Sequence, residues 1–475
     1  MFSRLVCLRA AHRYNSRLPS KLTPIVRHAS SQQLVEYIIR PHLNYKYIAE
    51  NAVKINENMK QRNASGADAM VVKELYHKLA VMTTELNALR GRRNELTKST
   101  KLAKSKEDKA ALIEEAKALK ATIQEREIAL ASVDNQLLSE AIQIPNDTSK
   151  ESPIGPEDCA RVAKIVGTPI DPDNHPFPIA DHLTLAKKHD MVDLETAALV
   201  SGASFYYLKN YGALLEVALV QYAMHKAVEH GFSPVITPDI VRTSFAYSCG
   251  FQPRNNEMSQ IYDVTTPTMD ADSPALCLAG TAEIPLAGMF AKKILNEQEL
   301  PKQMVGFGHA FRAEAGARGA DTKGLYRVHQ FSKVELFAVS RPDQSEMIME
   351  KLLKLQEDIF TELGLCFRVL DMPSEELGGS ANRKFDMEAW MPGRRAWGEI
   401  SSTSNCTDYQ ARRLSIRYRP REPTAPLEFC HTLNGTAIAV PRVLIAIIEN
   451  FQDKDGRIEI PSALRKWLPG TPTHI

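Results

Sequence analysis

Between residues 68 and 144 the chain runs without a proline and with a single glycine, Gly91. Apolar residues recur there at Val72, Leu75, Leu79, Met82, Leu86, Leu89 and Leu96. Steps of three and four put them on one narrow stripe of a helix, broken only where Arg93 takes the apolar place. A second stripe follows at Leu112, Ala116, Leu119, Ile123, Leu130, Val133 and Leu137, with Arg126 in its one polar place. Two such stripes, separated by a lysine-rich stretch from Thr97 to Ala110, predict an antiparallel helical hairpin with a basic tip. At about 1.5 Å per residue, forty residues would carry that tip about 60 Å from the root.

The pattern changes after Ile144-Pro145-Asn146. Residues 151–174, rich in Pro, Gly, Asp and Ser, read as a linker between an arm domain, 35–150, and a second domain, 175–475. In the second domain, helical stretches at 213–230, 346–363 and 440–451 alternate unevenly with strand-like runs at 204–209, 305–312, 334–339, 366–370 and 395–403. Such uneven spacing predicts an α+β fold, with a mainly antiparallel sheet flanked by helices, rather than repeated βαβ units. No G-x-G-x-x-G or P-loop motif is present, so any nucleotide would be held by other means.

Composition narrows the classes. With 475 residues, 44% of them apolar and 24% charged, the chain has the makeup of a globular protein of two or three domains. No apolar run approaches the roughly 18 residues of a bilayer span, so no membrane partner is expected. The seven cysteines are scattered and form no C-x-x-C pair, which argues for a reducing compartment and against structural zinc. Residues 1–35 hold no acid, while Arg4, Arg9, Arg13, Arg17, Lys21 and Arg27 alternate with apolar residues and serines. That is the composition of a mitochondrial transit peptide, assigned to residues 1–31, and it predicts a matrix location; a basic RNA-binding arm is the alternative. The arginines interrupt the apolar core that a secretory signal would need.

Charge also marks the chemistry. The hairpin tip carries Lys98, Lys101 and Lys104, with Arg90, Arg92 and Arg93 close by. This basic end could be a solvated turn of a dimerising coiled coil or a grip on a polyanion. Four segments of the second domain set charges inside apolar, strand-like runs, where an unpaired charge is costly. They are Thr281-Ala282-Glu283, the stretch from Arg312 and Glu314 to Glu335, Gly398-Glu399-Ile400-Ser401-Ser402, and Asn434-Gly435-Thr436 leading to Arg442.

These segments carry a resemblance. FRAEAGARGADTKGLYRVHQFSKVELF, from Phe311 to Phe337, resembles motif 2 of class II aminoacyl-tRNA synthetases in the form found in seryl-tRNA synthetases. HTLNGTAIAVPRVLIAIIENFQ resembles motif 3, and GFSPVITPDIV, with Pro238, resembles motif 1. The hairpin resembles the family's tRNA-binding arm, and VLDMPSEELG and EAWMPGR resemble its animal mitochondrial branch. The likeness covers nearly everything from about residue 35 to 470.

The resemblance implies a homodimeric enzyme that activates serine with ATP and charges mitochondrial tRNA(Ser). Arg312, Glu399 and Arg442 would be catalytic. Arg312 would contact the serine carboxylate and the α-phosphate, Glu314 the adenine amino group, Phe331 the adenine face and Arg442 the γ-phosphate. Glu399 and Ser402 would hold Mg²⁺ with the ATP, and Ala313, Ile400 and Ser401 would complete the ATP site. Thr281, Ala282, Glu283, Glu335 and Thr436 would join Arg312 in receiving serine, Glu335 and Thr436 at its hydroxyl and Thr281 and Glu283 at its amino end. Asn405, Arg412 and Asn434 would order that pocket. Arg90, Arg93, Lys98, Lys101 and Lys104 would bind tRNA. A glycine-bearing cationic loop with Gly316, Arg318, Gly319 and Lys323 would admit ATP and the tRNA end. His329 and Cys406 are read as packing residues, because the carboxylate nucleophile arrives ionised. The competing readings are a silent paralogue that binds RNA or a partner, a structural coiled coil, and a relative charging another amino acid.

Overall fold

The computed structural model describes residues 38–252, 260–266, 273–314 and 324–475. The leader 1–31 and the loop residues Gly316, Arg318, Gly319 and Lys323 lie outside these.

The arm begins with two short helices, α1 (Tyr45–Glu50) and α2 (Ala52–Gln61), packed against the root of two long ones, α3 (Ala69–Leu102) and α4 (Lys106–Ala141). Asp68 starts α3 by accepting the Met70 amide, and Ser105 starts α4 by accepting the amides of Glu107 and Asp108. Those two acids also sit favourably at the positive end of the helix. The hairpin therefore turns within residues 103–105, not over the wider 97–110 tip expected from the lysines. Nothing in residues 97–102 breaks the helix, so Lys98 and Lys101 ride the last turn of α3, and only Lys104 lies in the turn itself. Burial is confined to one seam and to the root. Val72, Leu86, Ile123, Val133 and Leu137 are buried, while Leu102 near the tip is 80% exposed. Ile48, Ala52, Ile55 and Met59 close the root over Leu137 and Ala141, so the arm is anchored at its base.

The body is built on eight strands: β1 (Arg161–Val166), β2 (Ser233–Ile236), β3 (Lys302–Phe311), β4 (Gln330–Ser340), β5 (Phe367–Asp371), β6 (Arg383–Met391), β7 (Ala396–Asn405) and β8 (His431–Ala439). Their order is β1-β5-β6-β7-β8-β4-β3-β2. Every neighbouring pair is antiparallel except β2 with β3. The first strand corrects the boundary read from the sequence, because β1 lies inside the supposed linker 151–174 and extends the sheet along β5. Its side chains are exposed along nearly the whole strand, so no alternation of apolar residues betrays it. The expected run at 204–209 shrinks to a two-residue strand, Tyr207–Leu208.

Five helices complete the layers needed here: α5 (Asn210–Glu229), α6 (Glu283–Gly288), α7 (Ser345–Glu362), α8 (Tyr409–Leu414) and α9 (Val440–Asn450). Leu215 and Leu219 of α5, Leu352 and Ile359 of α7 and Val443 and Ile447 of α9 pack with Val334, Leu336 and Ala338 of β4. Phe337 and Val339, pointing the other way, join a second core with Ile284 and Leu286 of α6 and Ala411 and Leu414 of α8. By strict alternation, Lys333 and Glu335 belong to this second face. The site is built there.

Candidate active site

Two bulges bring the site's polar residues together. Residues three apart in a strand face opposite ways. On β7, however, Glu399 pairs with Glu388 and Ser401 with Met387, leaving Ile400 as an extra residue. The alternation resets there, and Glu399 and Ser402 reach the same side. On β8, Thr436 pairs with Glu335 and Ile438 with Val334, leaving Ala437 extra, so Thr436 and Ala439 come to one side opposite Glu335 and Lys333.

The result is a cleft lined by Arg312, Glu314, Phe331, Lys333, Glu399 to Ser402, Thr436 and Arg442, with Tyr326 and Arg327. At one end Arg442, in the first turn of α9, donates to the Glu399 carboxylate at 2.8 Å and to its carbonyl at 3.0 Å. The Arg442 guanidinium also lies 4.7 Å from the Tyr326 ring centroid, and Arg394 covers that ring at 3.6 Å. Desolvation opposes ionisation of Glu399, but Arg442 first, then Lys384 and Arg312, outweigh it and hold the carboxyl at about 2. Arg312 sits 5.5 Å from the Phe331 ring centroid. Burial and the nearby Arg442 charge lower its pKa, so the two guanidiniums repel each other in a site with room for an anion. Glu314 leaves β3 with a left-handed φ of 44°, and its carboxylate accepts from Arg327 Nε at 2.6 Å.

The other end is drier. Lys333 Nζ lies 2.7 Å from Glu335, both nearly fully buried, and the Thr436 hydroxyl donates to Glu335 at 3.4 Å. Glu283 accepts from Gln410 at 2.6 Å and Asn434 at 2.8 Å. Burial, then the Glu335 charge, push its carboxyl up to about 7. The Thr281 hydroxyl is buried with no hydrogen-bond partner in the protein.

Of the residues singled out in the sequence, Arg312, Glu314, Phe331, Glu399, Ile400, Ser401, Ser402, Thr436 and Arg442 line the cleft. Thr281, Ala282, Glu283 and Glu335 are buried. Ala313 does not line the cleft, and its amide donates to the Gln260 carbonyl at 3.1 Å. Among the three expected pocket-ordering residues, Asn434 bonds Glu283, whereas Asn405 donates to Glu346 and Arg412 to Asp408. His329 bonds Tyr262 and the Arg312 carbonyl and stacks on Phe205. Cys406 is buried, and burial raises its thiol pKa. None of Arg90, Arg93, Lys98, Lys101 and Lys104 lines the cleft. Arg90 is instead paired with Glu127 at 2.7 Å across the hairpin, and its neighbour Arg92 with Glu115 at 2.6 Å.

Comparison with known proteins places this geometry. Residues 43–148 match the model of the seryl-tRNA synthetase N-terminal domain, and residues 262–451 match the class II tRNA synthetase core domain shared by the G, H, P, S and T enzymes. A serine–tRNA ligase of Treponema denticola is 43% identical over 425 residues, 89% of this chain and 97% of the relative. The chain belongs to the seryl-tRNA synthetase family. The mitochondrial serine–tRNA ligase of Schizosaccharomyces pombe is 41% identical over 90% of this chain and 88% of its own length. Seryl-tRNA synthetase of Pyrococcus horikoshii, solved with ATP, superposes with a TM-score of 0.81 at 33% identity, covering 91% of this chain and 99% of that one. The fold is accordingly the family's: a helical arm followed by a class II catalytic domain on an antiparallel sheet.

Within that core, sequence reasoning missed several groups. Lys333 neutralises Glu335, Tyr326 braces Arg442 and Arg327 holds Glu314. Lys384 pairs with Asp386 at 2.7 Å behind Glu399, and burial raises the Asp386 pKa. A signal was there for the last pair: Lys384, Asp386 and Glu388 alternate with Phe385 and Met387, the period of a strand with a charged face. Gln410 and Lys333 carried no local mark beyond being polar in apolar runs.

Proposed function

We propose that the chain is a mitochondrial serine–tRNA ligase, which converts serine and ATP to seryl-adenylate and diphosphate and transfers the seryl group to the 3′ end of mitochondrial tRNA(Ser). One juxtaposition carries the reading. Two guanidiniums, Arg312 and Arg442, flank an open cleft, and a recess of buried carboxylates and hydroxyls adjoins it. Such a site suits a reaction between two anions. The serine carboxylate attacks the α-phosphate in line, and the oxygen bridging to the β-phosphate leaves with diphosphate. Held by Arg312, the attacking carboxylate and the phosphate meet without mutual repulsion, and the same fork stabilises the charge of the transition state. Phe331 offers adenine a face, Glu314 accepts from its amino group, and Arg442 exchanges Glu399 for the terminal phosphate.

Glu399 and Ser402, on one side of β7, are a pair of hard oxygen donors that suits Mg²⁺. Among the described residues no cluster of three or more His, Cys, Asp or Glu could hold a metal, so phosphate and water would complete its shell. Bound there, the ion supplies positive charge for the phosphates. Ile400 and Ser401, which line the cleft, contribute backbone around the nucleotide. At the dry end, the serine ammonium meets Glu283 and the unpartnered Thr281 hydroxyl, with Ala282 between them, while the side-chain hydroxyl meets Glu335 and Thr436. Rejection of alanine is the consequence, because that analogue would leave buried polar groups unpaired.

The remaining assignments extend this reading. The exposed cations Arg93, Lys98, Lys101 and Lys104, with Arg90, bind the tRNA backbone. The segment resembling motif 1 forms the sheet edge at β2, where Ile236 is 84% exposed; an open apolar strand edge suits pairing of two copies as a homodimer. Among the described residues no helix is long and apolar enough to cross a membrane. The S. pombe relative and the acid-free leader support the matrix location. ATP–pyrophosphate exchange with each of the twenty amino acids tests the activity. Exchange with serine alone, lost in Arg312→Ala, is expected; exchange with another amino acid or with none would end the reading. Fusion of residues 1–40 to a reporter protein tests import.

A further inference from the structure

The last residue of the arm's return path, Asn146, is bonded on both sides of the junction between arm and body. Its Nδ2 donates to the carbonyls of Ser380 and Cys406, each at 2.9 Å, and lies 3.0 Å from the Thr407 hydroxyl. Its backbone amide donates to the Gly379 carbonyl at 2.9 Å. On the arm side its carbonyl accepts from Asn58 Nδ2 at 3.1 Å. Nearby, Arg413 of α8 donates to the carbonyls of Ile142 and Ile144 at the end of the arm, at 3.2 and 3.3 Å.

The segment that Asn146 grips is strained. Thr407 has a φ of 46°, in the left-handed region that a β-branched residue avoids. A residue stays in such a conformation only while its surroundings hold it, and here the Asn146 side chain bonds both the Cys406 carbonyl and the Thr407 hydroxyl. Just beyond Thr407 the chain enters α8, whose Gln410 donates to Glu283 at 2.6 Å. Just before it stands Cys406, whose sulfur accepts from Asn434 Nδ2 at 3.5 Å, and that same amide donates to Glu283 at 2.8 Å. Both donors that orient Glu283 therefore stand on, or against, the turn that Asn146 clamps.

We infer that Asn146 is a positioning residue for the amino-acid pocket: by holding the Cys406–Thr407 turn it sets Gln410 and Asn434, and through them the Glu283 carboxylate that receives the serine ammonium. The inference rests on the serine-binding reading of Glu283. It makes the root of the arm part of the serine site even when no tRNA is bound, although Asn146 touches no substrate.

The test is ATP–pyrophosphate exchange by the full chain without tRNA, with serine and ATP varied separately. Asn146→Ala raises the KM for serine by up to about tenfold, the scale of one ordinary hydrogen bond, with the KM for ATP unchanged. Thr407→Val, which keeps the branched side chain and loses only the hydroxyl, shifts serine KM in the same direction by less, and serves if Asn146→Ala does not fold. Asn58→Ala removes the arm-side bonds to Asn146 and Thr148; it lowers the melting temperature and leaves the serine KM alone. Equal rises for serine and ATP in Asn146→Ala and Thr407→Val would mark a merely structural role and overturn the inference. So would an unchanged serine KM in Asn146→Ala while Glu283→Gln raises it. If Glu283→Gln itself leaves serine KM unchanged, the reading of Glu283 fails, and the inference with it.

Discussion

The arm and the cleft use the same cations in opposite ways. On the hairpin, Arg90 and Arg92 find acids across a seam in which all four side chains stay substantially in water. Exposed pairs of this kind contribute about 0.2–1 kcal/mol, and the lysines beside them keep their hydration until a polyanion displaces it. In the cleft, Lys333 and Glu335 are nearly dry, and Glu399 is held ionised by three cations. A dry charge is expensive alone and tolerable only as a matched set. The arm can therefore lose one cation at small cost, whereas the cleft cannot. This is the difference between a surface that collects phosphates additively and a site that must hold charge at fixed positions.

The sharpest way to break the comparison is Lys333→Met. Removing one partner of a buried pair leaves Glu335 uncompensated, and the expected loss is about 3–5 kcal/mol in denaturant unfolding. Lys333→Met with Glu335→Leu recovers most of that stability but not serine activation. A single variant as stable as the parent would mean that water reaches the pair and that the cleft is no drier than the arm.

Charge reversal at the hairpin comes next. Lys98→Glu, Lys101→Glu and Lys104→Glu combined are expected to weaken tRNA binding and to flatten its dependence on salt, by about 2.7 in the slope of log K against log salt if all three touch phosphates. Pyrophosphate exchange should be untouched. Unchanged aminoacylation would remove the arm from tRNA recognition.

A third test reads the dry end through pH. The folded pKa of Glu283, about 7, lies above the ordinary carboxylate value. Its contribution to stability is thus full below that ordinary value and is lost as pH rises through about 7. Ammonium binding runs the other way, since it needs the carboxylate. The groups facing Glu283 are Glu335, Lys333 and Arg312, with the thiols of Cys249 and Cys406. The kcat/KM for serine should fall below pH 7 by roughly tenfold per unit, and Glu283→Gln should flatten that limb at a lower plateau. A limb that survives in Glu283→Gln would assign the titration elsewhere.

The smallest effect is expected at Arg90→Ala, which breaks one exposed pair and should shift stability by about 1 kcal/mol or less in thermal unfolding. A larger loss would mean that the seam depends on its ion pairs.

Much of this architecture can be read from local pattern. The hairpin is legible in its two apolar stripes, because helical contacts join residues three and four apart, whereas its lysines mark the turn only as a wider stretch, 97–110, than the 103–105 that the helices leave. The long body helices are legible for the same reason, and the central strands as short apolar runs. The charges at Arg312, Glu335, Glu399 and Arg442 stand out because they interrupt apolar runs, and the motif resemblance attaches chemistry to them. Other features had no local mark. The strand Arg161–Val166 is exposed and carries no period. The bulges at Ile400 and Ala437 exist only relative to the partner strand, yet they decide that Glu399 joins Ser402 and that Thr436 meets Glu335. The bonds from Gln410 and Asn434 to Glu283, and the pairing that takes Arg90 to Glu127, span tens to more than a hundred residues. The sequence by itself determined the long helices, the central strands and the chemistry they carry. Only the tertiary structure decided which of those groups lie dry, face one another and share a charge, because desolvation and register are set by partners distant in the chain.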